Sequence, residues 1–156
     1  MIPKQVISLM GGICVMHAAS RDAELRPCIA NATGPIEVED GDILTFFLAG
    51  SYAPKLLEHY GANRRVALVA AHPESFETYQ LKGEFIESRN YSAEDQGEVE
   101  TVLSRLADHF VQLGYPEDMV QGYMGHYTHC IAVRFKVEQV FEQAPKPGTG
   151  NPITGS

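Results

Sequence analysis

Hydrophobic residues along this chain recur mostly at strand spacing, with one long stretch at helical spacing. Residues 66–71 form an unbroken run of small apolar side chains, which is typical of a strand covered on both faces. Residues 78–85 and 131–137 alternate between apolar and polar side chains, as half-buried strands do. The predicted strands are 13–20, 26–33, 36–39, 43–48, 66–71, 78–85 and 131–137.

Turn residues separate the predicted strands. Asp40 and Gly41 form a two-residue hairpin signal, because glycine accepts the positive φ that a type I′ turn requires. Gly34 and Pro35 are expected to interrupt the chain between the second and third strands. Most links between strands are therefore short enough for hairpins.

Two segments are predicted to be helical. Pro54 suits the first turn of a short helix that ends at Gly61. Ser92 and Asp95 form a capping-box pattern ahead of a longer helix with apolar residues at helical spacing, closed by Gly114. The first ten residues suit a helix and a strand equally.

Short links exclude a doubly wound parallel sheet, which needs long crossovers. The pattern favours a mainly β (α+β) fold: a partly closed antiparallel barrel of six or seven strands with two or three peripheral helices. The 156 residues are enough for one hydrophobic core. We expect a single domain over residues 1–143 and an irregular, Pro- and Gly-rich tail over 144–156.

The excess of acidic over basic residues limits the classes of partner that the chain is expected to bind. With 20 acidic and 12 basic residues the formal net charge is −8, and no basic cluster interrupts it. Duplex nucleic acid and anionic membranes are therefore not expected partners. Cys14, Cys28 and Cys130 lack metal-ligand spacing and are expected to be small buried hydrophobes in a reducing cytoplasm. No apolar run is long enough to span a membrane, so a cytoplasmic location is expected.

Two groups of residues could bind a ligand. Ser51 and Lys55 lie at the start of the short helix, where a hydroxyl, an ammonium and free N–H groups suit an anion; alternatively Ser51 caps the helix and Lys55 is a solvated charge. Thr78, Gln80 and Lys82 share one face of a strand, which is either a ligand-binding face or an ordinary solvent face.

A family resemblance begins at the central hairpin. Arg-Val-Ala-Leu at 65–68, a bend, and Tyr-Gln-Leu-Lys-Gly at 79–83 resemble the central hairpin of the pyridoxamine 5′-phosphate oxidase-like FMN-binding split barrels, and a looser similarity extends over 12–150. The resemblance implies an FMN-binding split β-barrel and an FMN-dependent oxidoreductase. It also implies a homodimer with the flavin between the subunits, and a small-molecule electron donor or acceptor, with NAD(P)H as one candidate.

The resemblance also implies where the cofactor binds. Ser51 and Lys55 match the phosphate-binding place, although Tyr52 and Ala53 stand where the family often has adjacent Arg and Lys. The strand 28–32 matches one that contacts flavin largely through its main chain. The implied cofactor-binding residues are Ile29, Ala30, Asn31, Phe46, Phe47, Ser51, Lys55, Thr78, Gln80, Lys82 and Arg134.

No catalytic residue is predicted, because the flavin itself is the reactive group. His126 and His129 match no metal or haem attachment motif, so no metal site is predicted. Two alternatives remain: a module that binds or stores deazaflavin or haem without turnover, and a structural dimer that has lost the cofactor.

The dimer is also expected from the strands. A split barrel leaves an edge with unpaired N–H and C=O groups, and we expect a second subunit to cover the strand 131–137. This arrangement would place Arg134 or Lys136 of one chain near the flavin of the other.

Overall fold

A computed structural model describes residues 1–154, which form seven strands and four helices. In chain order these elements are α1 (Lys4–Gly11), β1 (Val15–Arg21), β2 (Pro27–Glu39), β3 (Ile43–Ala49), α2 (Ala53–Asn63), β4 (Arg65–Ala71), β5 (Thr78–Asn90), α3 (Ala93–Gln112), α4 (Glu117–Met124), β6 (Ile131–Glu142) and β7 (Pro152–Thr154).

The strands form a closed antiparallel barrel. Their order is β3-β2-β1-β4-β5-β6-β7, and β3 also pairs with β6, from Ile43 opposite Lys136 to Leu48 opposite Ile131. Six strands therefore close the barrel and β7 adds a short seventh, which confirms the mainly β split-barrel fold. The expectation of an open edge at 131–137 was wrong, because β3 and β5 flank β6 there.

The predicted break at residues 34–35 is a bulge within β2. The strand continues through it, and the register of its pairing with β3 shifts between Thr33 and Glu37. The turn that joins β2 to β3 has φ of 50° at Asp40 and 80° at Gly41, so the predicted positive φ of the glycine is confirmed. The predicted two-residue loop was wrong, because Glu39 pairs with Ile43 and leaves three residues, Asp40 to Asp42, in the turn. The two predicted strands 26–33 and 36–39 are thus one bent strand.

The barrel interior is the main hydrophobic core. Phe46 and Phe135 meet edge to face inside it, with ring centroids 5.7 Å apart. Helix α2 packs against β1 and β2, and its fully buried Tyr60 stacks on Phe85 at 5.6 Å. A second cluster around Phe47 and Val99 lies between the barrel and α3. The three cysteines are buried and unbridged, as expected.

The end of α2 differs from the prediction, whereas the start of α3 agrees with it. Helix α2 continues past Gly61 to Asn63, because Arg64 adopts the left-handed conformation (φ 57°) and its N–H donates to the Tyr60 carbonyl. The Ser92–Asp95 capping box at the start of α3 is confirmed. None of the four helices over residues 1–154 is long and apolar enough to cross a membrane.

The sequence did not predict α1 or α4, and the tail is not wholly irregular. Residues 152–154 form β7, with Thr154 opposite Val140 and Pro152 opposite Phe141. They pair with the part of β6 that continues beyond its pairing with β3. The prediction of no regular structure after residue 143 was therefore wrong for this short strand.

Candidate functional site

A cleft of about 510 Å³ opens where β3 ends and α2 begins. Ile29, Ala30 and Asn31 of β2 line one side, and Ser51 lies on the opposite side. The register of the barrel explains this meeting, because Asn31 pairs with Ala49 at the last position of β3. The structure therefore brings together four of the predicted cofactor-binding residues.

Gly50 makes the turn that places Ser51 in the cleft. Its φ is +85°, and a Cβ at this position would lie 3.2 Å from the carbonyl oxygen of His126. Its N–H donates to the Thr128 carbonyl at 3.2 Å, which ties the turn to the segment after α4. The positive φ therefore favours glycine here, and a side chain would also crowd the His126 carbonyl.

Ser51 stands beside a helix start that has no side-chain cap. The N-cap position of α2 is Tyr52, and within residues 1–154 no side chain caps this helix. The alternative that Ser51 is a capping hydroxyl is therefore not realised, and the Ser51 side chain is exposed in the cleft. Two of the first helical residues offer no free N–H, because the Ala53 N–H donates to the Gly50 carbonyl at 3.2 Å and Pro54 has none. The donors left for an anion at this helix start are the Ser51 hydroxyl and the N–H groups of Tyr52 and Lys55.

Helix α4 and the residues after it complete the cleft with Tyr123 and His126. The Tyr123 hydroxyl lies 3.1 Å from the Tyr127 hydroxyl, and burial raises the pKa of Tyr127 well above its usual value, so it stays protonated. The sequence prediction missed this wall. The sequence pattern that could have predicted it is a set of apolar side chains at helical spacing, which are Val120, Tyr123, Met124 and Tyr127.

Seven predicted cofactor-binding residues do not reach the cleft, and three of them lie on β3 and α2. Phe46 is fully buried in the barrel, and Phe47 is buried in the cluster beneath α3. Lys55 is exposed on α2 but does not line the cleft. Adjacent strand residues point to opposite faces, and in this barrel both faces of β3 are covered, so neither phenylalanine ring is available to a ligand.

Thr78, Gln80 and Lys82 share the outward face of β5, as the alternation predicts. Gln80 accepts a hydrogen bond from the Gln143 side chain at 3.4 Å. The Lys82 ammonium lies 4.8 Å from the centroid of the Phe141 ring, within the range of a cation–π contact.

This face is not part of the same cleft. On the outward surface one row of paired residues runs from Asn31 through His17 and Val69 to Gln80. Three strand spacings separate Asn31 from Gln80, which is about 14 Å at the usual spacing between strands. One subunit therefore carries two separate halves of the predicted site.

Arg134 lies in a third place. Its guanidinium pairs with Glu39 at 2.6 Å and Glu87 at 3.2 Å, in a separate pocket of about 380 Å³, and these carboxylates raise its pKa. The Lys136 ammonium lies 3.9 Å from the Asp42 carboxylate. Both predicted cations are therefore held by acidic partners of their own chain.

The histidines do not form a metal site. Within residues 1–154 no three His, Cys, Asp or Glu side chains are close enough together to hold a metal ion. His126 is the histidine that lines the cleft.

No family model and no curated protein sequence matches the chain. Several solved structures superpose over most of it, and three represent them. HupZ of Group A Streptococcus is 16% identical, with a TM-score of 0.52 over 96% of this chain and 100% of that one. A candidate pyridoxamine 5′-phosphate oxidase from Lactobacillus delbrueckii is 18% identical, with a TM-score of 0.52 over 90% and 93%.

The third is a heme binding protein from Mycobacterium smegmatis, 13% identical, with a TM-score of 0.53 over 99% of this chain and 60% of that one. At these identities the similarity is one of fold. The chain therefore has the split-barrel fold of the pyridoxamine 5′-phosphate oxidase-like proteins.

Proposed function

We propose that this chain is an FMN-dependent oxidoreductase that holds the phosphate of FMN at Ser51. The observation that carries the proposal is the uncapped start of α2 beside the exposed Ser51 hydroxyl, inside a cofactor-sized cleft. N–H groups at a helix start and a hydroxyl are the donors that a phosphate needs.

The cleft residues fit the group. A volume of about 510 Å³ lies within the usual range of cofactor sites. Gly50 leaves room where a side chain would approach the His126 carbonyl, and Asn31 offers both a donor and an acceptor. Since α2 provides one helix start and the cleft has no second anion site, we favour FMN over FAD.

Each cleft residue has a role in this proposal. The Ser51 hydroxyl and the N–H groups of Tyr52 and Lys55 bind the phosphate, and Asn31 orients the ring edge. Tyr123, held by Tyr127, and His126 cover the cleft and limit the access of water. FMN, when bound, supplies the redox centre, which takes electrons from a small donor such as NAD(P)H and passes them on.

We further propose that the protein acts as a homodimer. Small, half-buried apolar side chains surround the exposed His17 on the outward surface between the two half-sites; they are Ala19, Ala67, Val69 and Ala71. A second copy packed on this surface would shield it and could bring Gln80 of the partner subunit to the Asn31 side of the cleft. The dimer thus joins two half-sites that one chain holds about 14 Å apart.

The visible spectrum of the freshly purified protein tests the function. We expect flavin absorption bands, an extract that co-migrates with FMN, and bleaching of the bands when NAD(P)H is added. Extraction of FAD would overturn the choice of cofactor. A colourless protein that does not quench the fluorescence of added FMN would overturn the whole proposal and favour a structural dimer.

Haem binding is the second candidate, because His126 exposes an imidazole in the same cleft and imidazole is a common haem ligand. A Soret band in place of flavin bands, lost in a His126→Ala variant, would favour it. A deazaflavin carrier would show its own absorption and no reaction with NAD(P)H.

A further inference from the structure

A groove of about 200 Å³ lies between the end of α3 and α4, and it has no role in the proposed cofactor site. Phe110, Tyr115, Met119, Val120 and Tyr123 line it, so no charged side chain faces the groove. Tyr115 is 48% exposed and Met119 is 61% exposed, which is unusual for such large apolar groups.

Aromatic packing fixes the walls of the groove. The Phe110 ring meets Tyr115 edge to face at 5.6 Å and Tyr123 at 6.0 Å, with interplanar angles of 86° and 88°. Gly114 takes φ +95°, and the Tyr115 N–H donates to the Phe110 carbonyl at 3.1 Å, which folds the link between the helices back onto α3. These ring contacts and the backbone hydrogen bond therefore define the shape of the groove.

We propose that this groove binds a small planar aromatic molecule that is uncharged or positively charged. A closed apolar cavity of about 150 Å³ accommodates benzene, so this volume suits one ring with a short substituent. Ring faces and edges together with the Met119 sulfur are favourable partners for another aromatic ring. Glu117 and Asp118 begin α4, and they and the net charge of −8 disfavour anions.

The size of the groove favours a small molecule over a protein. A stable protein interface needs about 20–30 residues on each side, whereas five residues form this groove. One of these five residues, Val120, is also buried.

Tyr123 links the groove to the cofactor cleft, since its side chain lines both. An aromatic molecule in the groove would sit one side chain away from the cofactor. Its role as the substrate of the oxidoreductase rests on the proposed function, whereas its binding does not.

Binding can be tested on the cofactor-free chain by NMR of isotope-labelled methionine methyl groups. Benzyl alcohol and benzoate are matched probes that differ mainly in charge. We expect benzyl alcohol to shift the Met119 signal, assigned with a Met119→Leu variant, with a Kd of about 1 mM or tighter. Benzoate should bind at least about tenfold more weakly.

Two exposed aromatic residues provide a matched pair of variants. Tyr115→Ala removes one wall of the groove and should weaken benzyl alcohol at least about tenfold. Phe76→Ala removes an exposed ring elsewhere (61% exposed) and should leave the binding unchanged.

Three outcomes would overturn the proposal. The first is no saturable shift of Met119, and the second is an equal response in the Tyr115→Ala and Phe76→Ala variants. The third is self-association of the protein that Tyr115→Ala abolishes, because the groove would then be an interface. The assay contains no flavin, so the groove can bind benzyl alcohol even if the cleft does not bind FMN. Equally, the cleft can bind FMN even if the groove does not bind benzyl alcohol.

Discussion

Gly83 of β5 approaches the backbone of Lys136 so closely that a Cβ at position 83 would lie 1.9 Å from the Lys136 carbonyl oxygen. This approach coincides with a register shift between β5 and β6 at Lys82 and Gly83. Bulges of this kind bend strands and increase their twist, which a six-stranded barrel needs in order to close.

We therefore expect Gly83→Ala to destabilise the protein by about 2–4 kcal/mol, because the backbone of β6 must move to admit a methyl group. Urea unfolding measures this change. Gly97→Ala is the matched control, since Gly97 lies in α3 with open space around it. The control should stabilise the protein by about 0.5–1 kcal/mol. Equal effects of the two substitutions would contradict the close approach.

Asp95 is expected to make stability depend on pH. Its carboxylate accepts hydrogen bonds from Arg89 at 3.0 Å and from the Ser92 N–H at 2.7 Å, and the Arg89 guanidinium holds its pKa well below the usual range. The unfolded chain binds a proton at Asp95 at a higher pH than the folded chain does. The stabilisation is therefore complete above about pH 5 and is lost as the pH falls toward the folded pKa.

Asp95→Asn removes this charge and should cost about 1–2 kcal/mol at neutral pH. The difference from the unsubstituted protein should shrink as the pH falls below about 4. Urea unfolding at several pH values measures both effects. Glu94→Gln, in the same helical turn and exposed, should change stability by less than about 0.5 kcal/mol. If the difference in unfolding free energy grew as the pH fell, it would contradict the lowered pKa of Asp95 in the folded protein.

The phosphate site predicts different effects for two neighbouring residues. Ser51→Ala should weaken FMN binding about tenfold to a hundredfold, the loss expected for a hydrogen bond to a charged group. Lys55→Ala should weaken it less than about threefold, because Lys55 is exposed and does not line the cleft. Quenching of flavin fluorescence measures both affinities. A larger effect at Lys55 than at Ser51 would place the phosphate elsewhere.

The dimer surface makes a separate prediction. Val69→Glu places a charge in the middle of the small apolar surface, so it should convert the dimer into a monomer of 17.2 kDa and abolish FMN binding. Val111→Glu introduces the same charge at an exposed position on α3 and should leave the dimer intact. Sedimentation measures both. A Val69→Glu protein that remained dimeric and kept FMN would show that the subunits associate through another surface.

Local patterns predicted most of the barrel. Strand alternation and the positive φ at Gly41 depend on neighbouring residues, and the structure confirms both. The bulge at residues 34–35 was read as a break because it depends on pairing with β3, which the local sequence does not show. Helix α4 was missed because its eight residues follow directly on a long acidic helix.

The site was predicted less fully, and the reason is the direction of side chains. Residues 29–31 and Ser51 meet because β2 and β3 pair in one particular register. Lys55 is close to Ser51 in sequence, but α2 packs its Leu56 and Tyr60 side against the barrel, and Lys55 remains exposed outside the cleft. Sequence proximity could not show how the helix docks.

The pairing of β3 with β6 also has a consequence for how the chain folds. Residues 43–48 pair with β2 on one edge, but their partners on the other edge are residues 131–136, so closure joins segments that are far apart in sequence. During synthesis β3 and β5 each keep an unpaired edge until β6 leaves the ribosome. Non-local pairing of this kind is slow, on the order of milliseconds to seconds. Nascent chains that stall before residue 131 should therefore be the species most prone to aggregate.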